Sequence, residues 1–203
     1  QSGRCWMFAA LNTFRFEVMK NLNLKTFELS QNYTLFYDKL EKSNYFLESI
    51  LETLDEPTQG RLISFLLSAP LGDGGQWDML CNLVRKYGVV PKEAMPETVS
   101  SSATREMTSA LTRKLREDAC RLRKAYADGS TLDELRQKKE AMMEEIYRVL
   151  CICLGEPPKT FDLIESLMES HQPLKGKRCS LEIRNTSLSF NPAAIPARGV
   201  KPF

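Results

Sequence analysis

The sequence predicts a mostly α-helical fold, and three observations support that prediction. The chain has 203 residues, 42% hydrophobic and 27% charged, which is typical of a globular protein with a sizeable core. Long stretches lack Gly and Pro and repeat apolar residues every three or four positions. Two of the longest flank the turn Asp128-Gly129-Ser130 and predict a helical hairpin.

The first half of the chain is predicted to contain several helices. Ser2 and Gly3 break local order, so the first helix begins at Cys5. Ser30 suits the N-cap of the next helix, and Gly88 suits the C-cap of the last. The predicted spans are 5–22, 31–40 with a further apolar series at 46–54, 61–68 and 77–86.

The second half is predicted to begin with a linker or loop at 99–103. The hairpin helices follow at 104–127 and 131–154. Ser130 or Thr131 can cap the second of them, with Asp133 or Glu134 completing a capping box. Residues 163–203 contain several prolines and lose the helical period, so this tail is predicted to be irregular.

Cys5 is the candidate nucleophile. A thiol at a helix start faces unpaired backbone N–H groups and the positive end of the helix dipole, and both favour the reactive thiolate. Arg4 is expected to add positive charge beside it. The alternative is a small buried cysteine at a helix start, which would be inert.

The stretch from Leu71 to Leu80 contains glycines at 72, 74 and 75, so its backbone either turns sharply or admits a close neighbour. A plain loop before the next helix is one interpretation. A phosphate cradle is disfavoured, because no Lys-Ser/Thr pair follows the glycines.

The residues around Cys5 carry a family resemblance. Gly-Arg-Cys-Trp followed by Phe-Ala-Ala resembles the nucleophile segment of papain-like cysteine peptidases. Arg4 before the cysteine is typical of one branch, which comprises bleomycin hydrolase and bacterial aminopeptidase C. Further similar strings lie at 29–31, 74–77, 87–91, 142–148 and 151–161, so the resemblance covers roughly residues 1–162.

The resemblance implies the helical (left) half of a papain-like α+β cysteine peptidase with a helical-hairpin insertion. Residues 1–97 would form the helical subdomain with the nucleophile, and residues 98–162 the insertion. The tail, 163–203, departs from the family pattern, and we expect it not to be native family sequence. The family further implies a cytoplasmic, ring-shaped homohexamer with its active sites facing an internal chamber.

The resemblance also implies roles for individual residues. Cys5 would supply the thiolate that attacks a peptide carbonyl, as in a cysteine aminopeptidase. A glycine pair would bind an extended peptide through its backbone, and the residues after it would line the pocket for the second side chain. The implied substrate-binding residues are Trp6, Gly74, Gly75, Gln76 and Trp77.

The remaining parts of the family's mechanism are not matched. His171 lacks the expected flanking residues, and Gln1 lies four residues before Cys5, where the family's oxyanion Gln lies six before. We therefore expect this polypeptide to be inactive as written. One alternative is a non-enzymatic fragment that binds peptides through the glycine pair or associates through its hairpin. Another is a redox protein, which the absence of a nearby resolving cysteine disfavours.

Composition disfavours several other classes of function. The net charge is +2, and no apolar run approaches the roughly 20 residues of a membrane span. Basic residues crowd the first hairpin helix, but acidic residues share the hairpin, which favours a solvated face over a nucleic-acid patch. Six cysteines without a C-x-x-C pair and a single histidine predict no zinc site, and we expect no cofactor.

Cysteine usage also bears on the compartment. Secreted papain relatives carry a disulfide whose two positions correspond here to Ser2 and Gly72. The absence of that pair suits a reducing compartment.

Overall fold

The computed structural model describes residues 3–163 and 179–182 of the chain. These residues form seven α-helices, a short 3-10 helix and two short strands. In order they are α1 (Cys5–Leu22), α2 (Gln31–Glu52), α3 (Arg61–Ser68), α4 (Trp77–Tyr87), the 3-10 helix Lys92–Ala94, α5 (Val99–Ser102), α6 (Arg105–Ala127), α7 (Leu132–Leu154), β1 (Thr160–Leu163) and β2 (Cys179–Glu182). The prediction of a mostly α-helical chain is confirmed.

Helix α2 lies at the centre of the fold and packs against α1, α3, α4, α6 and α7. Its buried residues lie on nearly every face, because neighbouring helices cover most of its surface. Its largest fully buried apolar side chains are Tyr33, Leu35, Phe36, Tyr37, Leu47 and Ile50. The helix runs without a break between the two apolar series that the sequence suggested, and it ends at Glu52.

Ser30 is the N-cap of α2, as predicted. Its hydroxyl oxygen accepts a hydrogen bond from the Tyr33 N–H at 3.0 Å and donates one to the Met95 carbonyl at 2.5 Å. The same residue therefore starts the central helix and ties it to the segment that follows α4.

Helices α6 and α7 form the predicted hairpin and pack on each other and on α2. Thr131 and Glu134 form a reciprocal capping box at the start of α7, as the sequence indicated. The apolar stripes of both helices join the core cluster that also contains α2 residues. The hairpin and residues 1–97 therefore share one hydrophobic core.

Residues 99–103 were expected to form a linker or loop, and that prediction is wrong. They contain the one-turn helix α5, which begins with a capping box made by Thr98 and Ser101. The Thr98 hydroxyl also donates to the Cys153 carbonyl at 2.9 Å, which ties this turn to the end of α7. In this capping box a serine takes the position that Glu or Gln usually occupies, so the usual sequence pattern of a helix start is missing.

The tail contains one described element. Strand β2 pairs with β1 antiparallel, with Thr160 opposite Glu182 and Leu163 opposite Cys179. Residues 164–178 and 183–203, on which most of the prediction of an irregular, non-native tail falls, lie outside the described residues.

Candidate active site

Cys5 is the first residue of α1, where the sequence placed it, and its side chain is exposed. No side chain caps this helix start, and the first turn contains no acidic residue. The first-turn N–H groups and the positive end of the helix dipole therefore act on the thiol without a competing carboxylate from the same turn. The thiol is therefore accessible to an electrophile, and Cys5 is not the buried cysteine of the alternative interpretation.

Two glycines allow the start of α1 to pack against the loop before α4. A β-carbon on Gly3 would lie 2.4 Å from the Asp73 β-carbon, and Gly3 has a positive φ of 59°. A β-carbon on Gly75 would lie 2.6 Å from the Trp6 ring. The Trp6 indole N–H also donates to the Asp73 carbonyl at 3.0 Å. The residue after Cys5 is therefore held directly against residues 72–75, which we call the glycine segment.

Charged residues of α2 bind the same segment. Lys39 donates to the Gly72 carbonyl at 3.1 Å and to the Asp73 carboxylate at 2.7 Å. Lys42 donates to the carbonyls of Gly72 and Gly74 at 2.9 and 2.7 Å and pairs with Asp38. Burial raises the pKa of Asp38 and lowers the pKa of Lys42, in both cases against their mutual attraction.

An apolar cleft of about 270 Å³ opens between α1 and α4. Its lining residues are Trp6, Ala9, Ala10, Thr13, Trp77 and Leu80. Trp77 is 55% exposed and its ring centre lies 5.9 Å from that of Phe14. The structure thus brings Trp6 and Trp77 to one cleft, whereas Gln76 is the exposed residue that precedes α4 and does not line it.

Arg4 does not act as the sequence suggested. Its guanidinium is buried and makes two bonds to the Glu97 carboxylate, at 3.0 and 2.9 Å. Burial by itself would raise the pKa of Glu97, but hydrogen bonds from Arg4 and Ser101 outweigh it and hold the pKa of this carboxyl below its usual value. The charge expected to assist Cys5 is therefore neutralised by Glu97. No sequence signal indicated this partner, because Glu97 lies 93 residues away from Arg4.

The basic residues of α6 largely contact the protein itself. Arg116 donates to the carbonyls of Leu67 and Ser68, at the end of α3, at 2.8 and 3.0 Å. Arg123 donates to the Thr53 carbonyl, just after α2, at 2.8 Å. Cationic donors at helix C-termini satisfy carbonyls that have no partner within the helix. These arginines join α6 to α2 and α3, which accounts for part of the basic face in structural terms.

Gln1 and His171 lie outside the described residues. Among the residues that the structure describes, no group of three or more His, Cys, Asp or Glu side chains is placed to hold a metal ion. No described helix is long and apolar enough to cross a membrane.

Comparison with known proteins gives consistent matches. The family model described as Peptidase C1-like matches residues 1–170. Aminopeptidase C of Listeria monocytogenes is 57% identical over 162 residues, which cover 80% of this chain and 36% of that protein. Bleomycin hydrolase of Homo sapiens is 51% identical over 162 residues, covering 79% of this chain and 36% of that protein.

A solved structure agrees with these matches. The crystal structure of PepW from Lactobacillus rhamnosis HN001 aligns with a TM-score of 0.78 and 54% identity, covering 81% of this chain and 37% of PepW. The chain therefore spans little more than a third of the length of the relatives named here. The matched length agrees with the 1–162 extent of the resemblance read from the sequence.

Proposed function

This chain belongs to the Peptidase C1-like family, and we propose that it supplies the nucleophile and part of the peptide-binding surface of a cysteine aminopeptidase. The observation that supports this most directly is the exposed Cys5 at the open start of α1. Its neighbour Trp6 contacts the glycine segment and lines the apolar cleft. The relatives named Aminopeptidase C and Bleomycin hydrolase support the reaction class.

In the proposed reaction the Cys5 thiolate attacks the carbonyl carbon of a peptide bond. The carbonyl π electrons move to oxygen, and the oxyanion accepts hydrogen bonds from N–H groups such as that of Cys5 itself. Collapse of this intermediate breaks the C–N bond, and the leaving amine takes a proton from a general acid. Water then hydrolyses the thioester and releases the free thiol.

The glycine segment would bind the substrate backbone. We propose that an extended peptide pairs with the main chain at Gly74 and Gly75 and places one apolar side chain in the cleft between Trp6 and Trp77. The 270 Å³ of the cleft is large enough for a hydrophobic side chain. Main-chain pairing tolerates varied sequences, and the cleft supplies a preference. Gln76, exposed beside the pair, would contact the substrate from the rim.

We also propose that this chain does not turn over substrate by itself. The reaction needs an imidazole that accepts and returns a proton, and the sequence has one histidine, His171, whose flanking residues do not match the family. Three further proposals for this chain rest on the family resemblance of its sequence: removal of N-terminal residues, a cytoplasmic location and assembly into a homohexamer.

A second candidate is a non-enzymatic role in peptide binding. The described residues include the glycine segment, the Trp6 and Lys42 side chains that donate to it, and the cleft. They do not include His171, the candidate for the proton-transfer group. Binding of a peptide therefore requires fewer additional parts than hydrolysis.

Hydrolysis of a fluorogenic aminoacyl substrate tests the proposal. The proteins compared are this chain, its Cys5→Ala variant, and a chimera in which residues 1–162 replace the matching 162 residues of Listeria monocytogenes aminopeptidase C. We expect activity in the chimera that Cys5→Ala abolishes, and none in the chain alone. A well-folded but inactive chimera would refute the assignment of the nucleophile. Cys5-dependent activity in the chain alone would refute the proposal that the base lies elsewhere.

A further inference from the structure

The glycine segment is fixed through three consecutive carbonyls. The Gly72 carbonyl accepts from Lys39 and Lys42, the Asp73 carbonyl accepts from Trp6, and the Gly74 carbonyl accepts from Lys42 at 2.7 Å. All four bonds come from side chains of α1 or α2. The position of Gly75, the next residue, is therefore set by donors that belong to the helices.

Lys42 contributes most to this arrangement. Its ammonium group has three N–H donors, and the structure gives them three partners: the carbonyls of Gly72 and Gly74 and the Asp38 carboxylate. The same nitrogen lies 5.6 Å from the centre of the Trp6 ring, within the range of a cation–π contact. One side chain thus contacts both the glycine segment and the residue that follows Cys5.

Stability alone does not explain so many charges at this place. Asp38 and Lys39 are 2% and 1% exposed, and taking such groups out of water costs about as much as their mutual attraction returns. Apolar side chains would attach the loop as well. Ammonium donors differ from apolar groups because they fix the positions of particular carbonyl oxygens. The charges therefore specify where the loop lies more than how firmly the protein folds.

We propose that Lys42 is a positioning residue, which sets the glycine segment relative to the Cys5 helix through the Gly72 and Gly74 carbonyls and through Trp6. The consequence for catalysis rests on the proposed function. A peptide paired with Gly74 and Gly75 would be aligned with the Cys5 sulfur only while Lys42 contacts both the glycine segment and Trp6. Loss of Lys42 should then weaken peptide binding without changing the reactivity of the thiol.

The test compares Lys42→Met with Lys86→Met. Lys86 is a matched control, because its ammonium also pairs with an α2 carboxylate, Glu41, and lies 5.1 Å from an aromatic ring, that of Tyr87, but it makes no contact with the glycine segment. The double variant Asp38→Asn, Lys42→Met removes both charges, so that no unpaired buried carboxylate is left if the single variant folds poorly.

Two measurements are made on each variant of the whole chain. Hydrogen exchange reports the order of residues 72–77, and saturation kinetics with a peptidyl epoxide give the binding constant KI for labelling of Cys5. In that labelling the sulfur attacks an epoxide carbon, the C–O bond opens and the oxygen takes a proton. Labelling of Cys5 by iodoacetamide, followed on its own peptide, reports thiol reactivity without peptide binding.

Lys42→Met and the double variant should speed exchange in 72–77 and raise KI roughly tenfold, in line with the loss of a charged hydrogen bond, with the iodoacetamide rate unchanged. Lys86→Met should change neither. Equal exchange in Lys42→Met and Lys86→Met overturns the positioning role. Faster exchange with unchanged KI overturns its link to peptide binding. If the unaltered chain shows no saturable binding of the epoxide, the proposed function fails, while the exchange data still decide the positioning role.

Discussion

Replacing Gly75 by alanine places one methyl group where the structure has no room for it. The added β-carbon would lie 2.6 Å from the Trp6 ring, whereas ordinary contacts begin near 3.4 Å, so the ring and the loop must separate by about 0.8 Å. The Trp6 ring cannot easily give way, because its N–H is bonded to Asp73 and its face lies under Lys42. Overpacking of this kind costs about 1–3 kcal/mol.

A cost of that size is measurable as a change in melting temperature. For a chain of this length, each kcal/mol lowers Tm by about 2–4 °C, which gives a fall of about 2–12 °C for Gly75→Ala. Gly74→Ala is the matched control, since a β-carbon there has no neighbour within 4 Å and the glycine does not have a positive φ. Thermal unfolding followed by circular dichroism compares the two variants with the unaltered chain.

The same pair of variants also tests the contact with the nucleophile segment. Gly75→Ala should shift the tryptophan emission, because the added methyl group pushes against the Trp6 ring. Trp6 is one of only two tryptophans in the chain. A Trp77→Phe background removes the other. Equal melting temperatures and equal spectra for Gly74→Ala and Gly75→Ala would refute the close packing of Gly75 on Trp6.

Two further substitutions test the anchoring of the site and of the hairpin. Arg4→Met should lower the free energy of unfolding by about 1–3 kcal/mol at neutral pH. Because the pKa of Glu97 is held low in the folded chain, this loss of stability is full above the ordinary carboxyl pKa and disappears as pH falls through the pKa of Glu97 in the folded chain. Urea unfolding at several pH values measures this dependence. A loss of stability that does not change with pH would contradict it. Thr131→Ala should lower the free energy of unfolding by about 1 kcal/mol, because it removes the capping box with Glu134. Calorimetry measures this loss, which should be smaller for Ser130→Ala.

Features that depend on residues close in sequence could be predicted. The start of α1 at Cys5, the cap at Ser30 and the capping box at Thr131 all involve residues within four positions of one another. The helical spans followed from apolar spacing for the same reason. The one-turn helix α5 was missed although its signal is local, because Ser101 is an unusual partner in a capping box.

Features that depend on distant residues could not be predicted. The bond between Arg4 and Glu97 and those between Lys42 and the glycine segment join residues 30 to 93 positions apart. From the sequence, Lys42 was one of many charged residues on a helix surface. Its role becomes evident only in the folded chain, where the glycine segment packs against α2. Family resemblance supplied the glycine pair itself, but not the side chains that hold it.

The neutralisation of Arg4 changes how the proposed reactivity of Cys5 must be explained. With that charge bound to Glu97, the helix start remains the main local source of positive potential identified at the thiol. A helix terminus stabilises an exposed anion by about 0.3–1 kcal/mol, which is a factor of about two to five. Enzymes accelerate their reactions by at least about a millionfold. The start of α1 can therefore favour the Cys5 thiolate, but the proposed catalysis would have to come mostly from proton transfer and oxyanion stabilisation by groups that act together with Cys5.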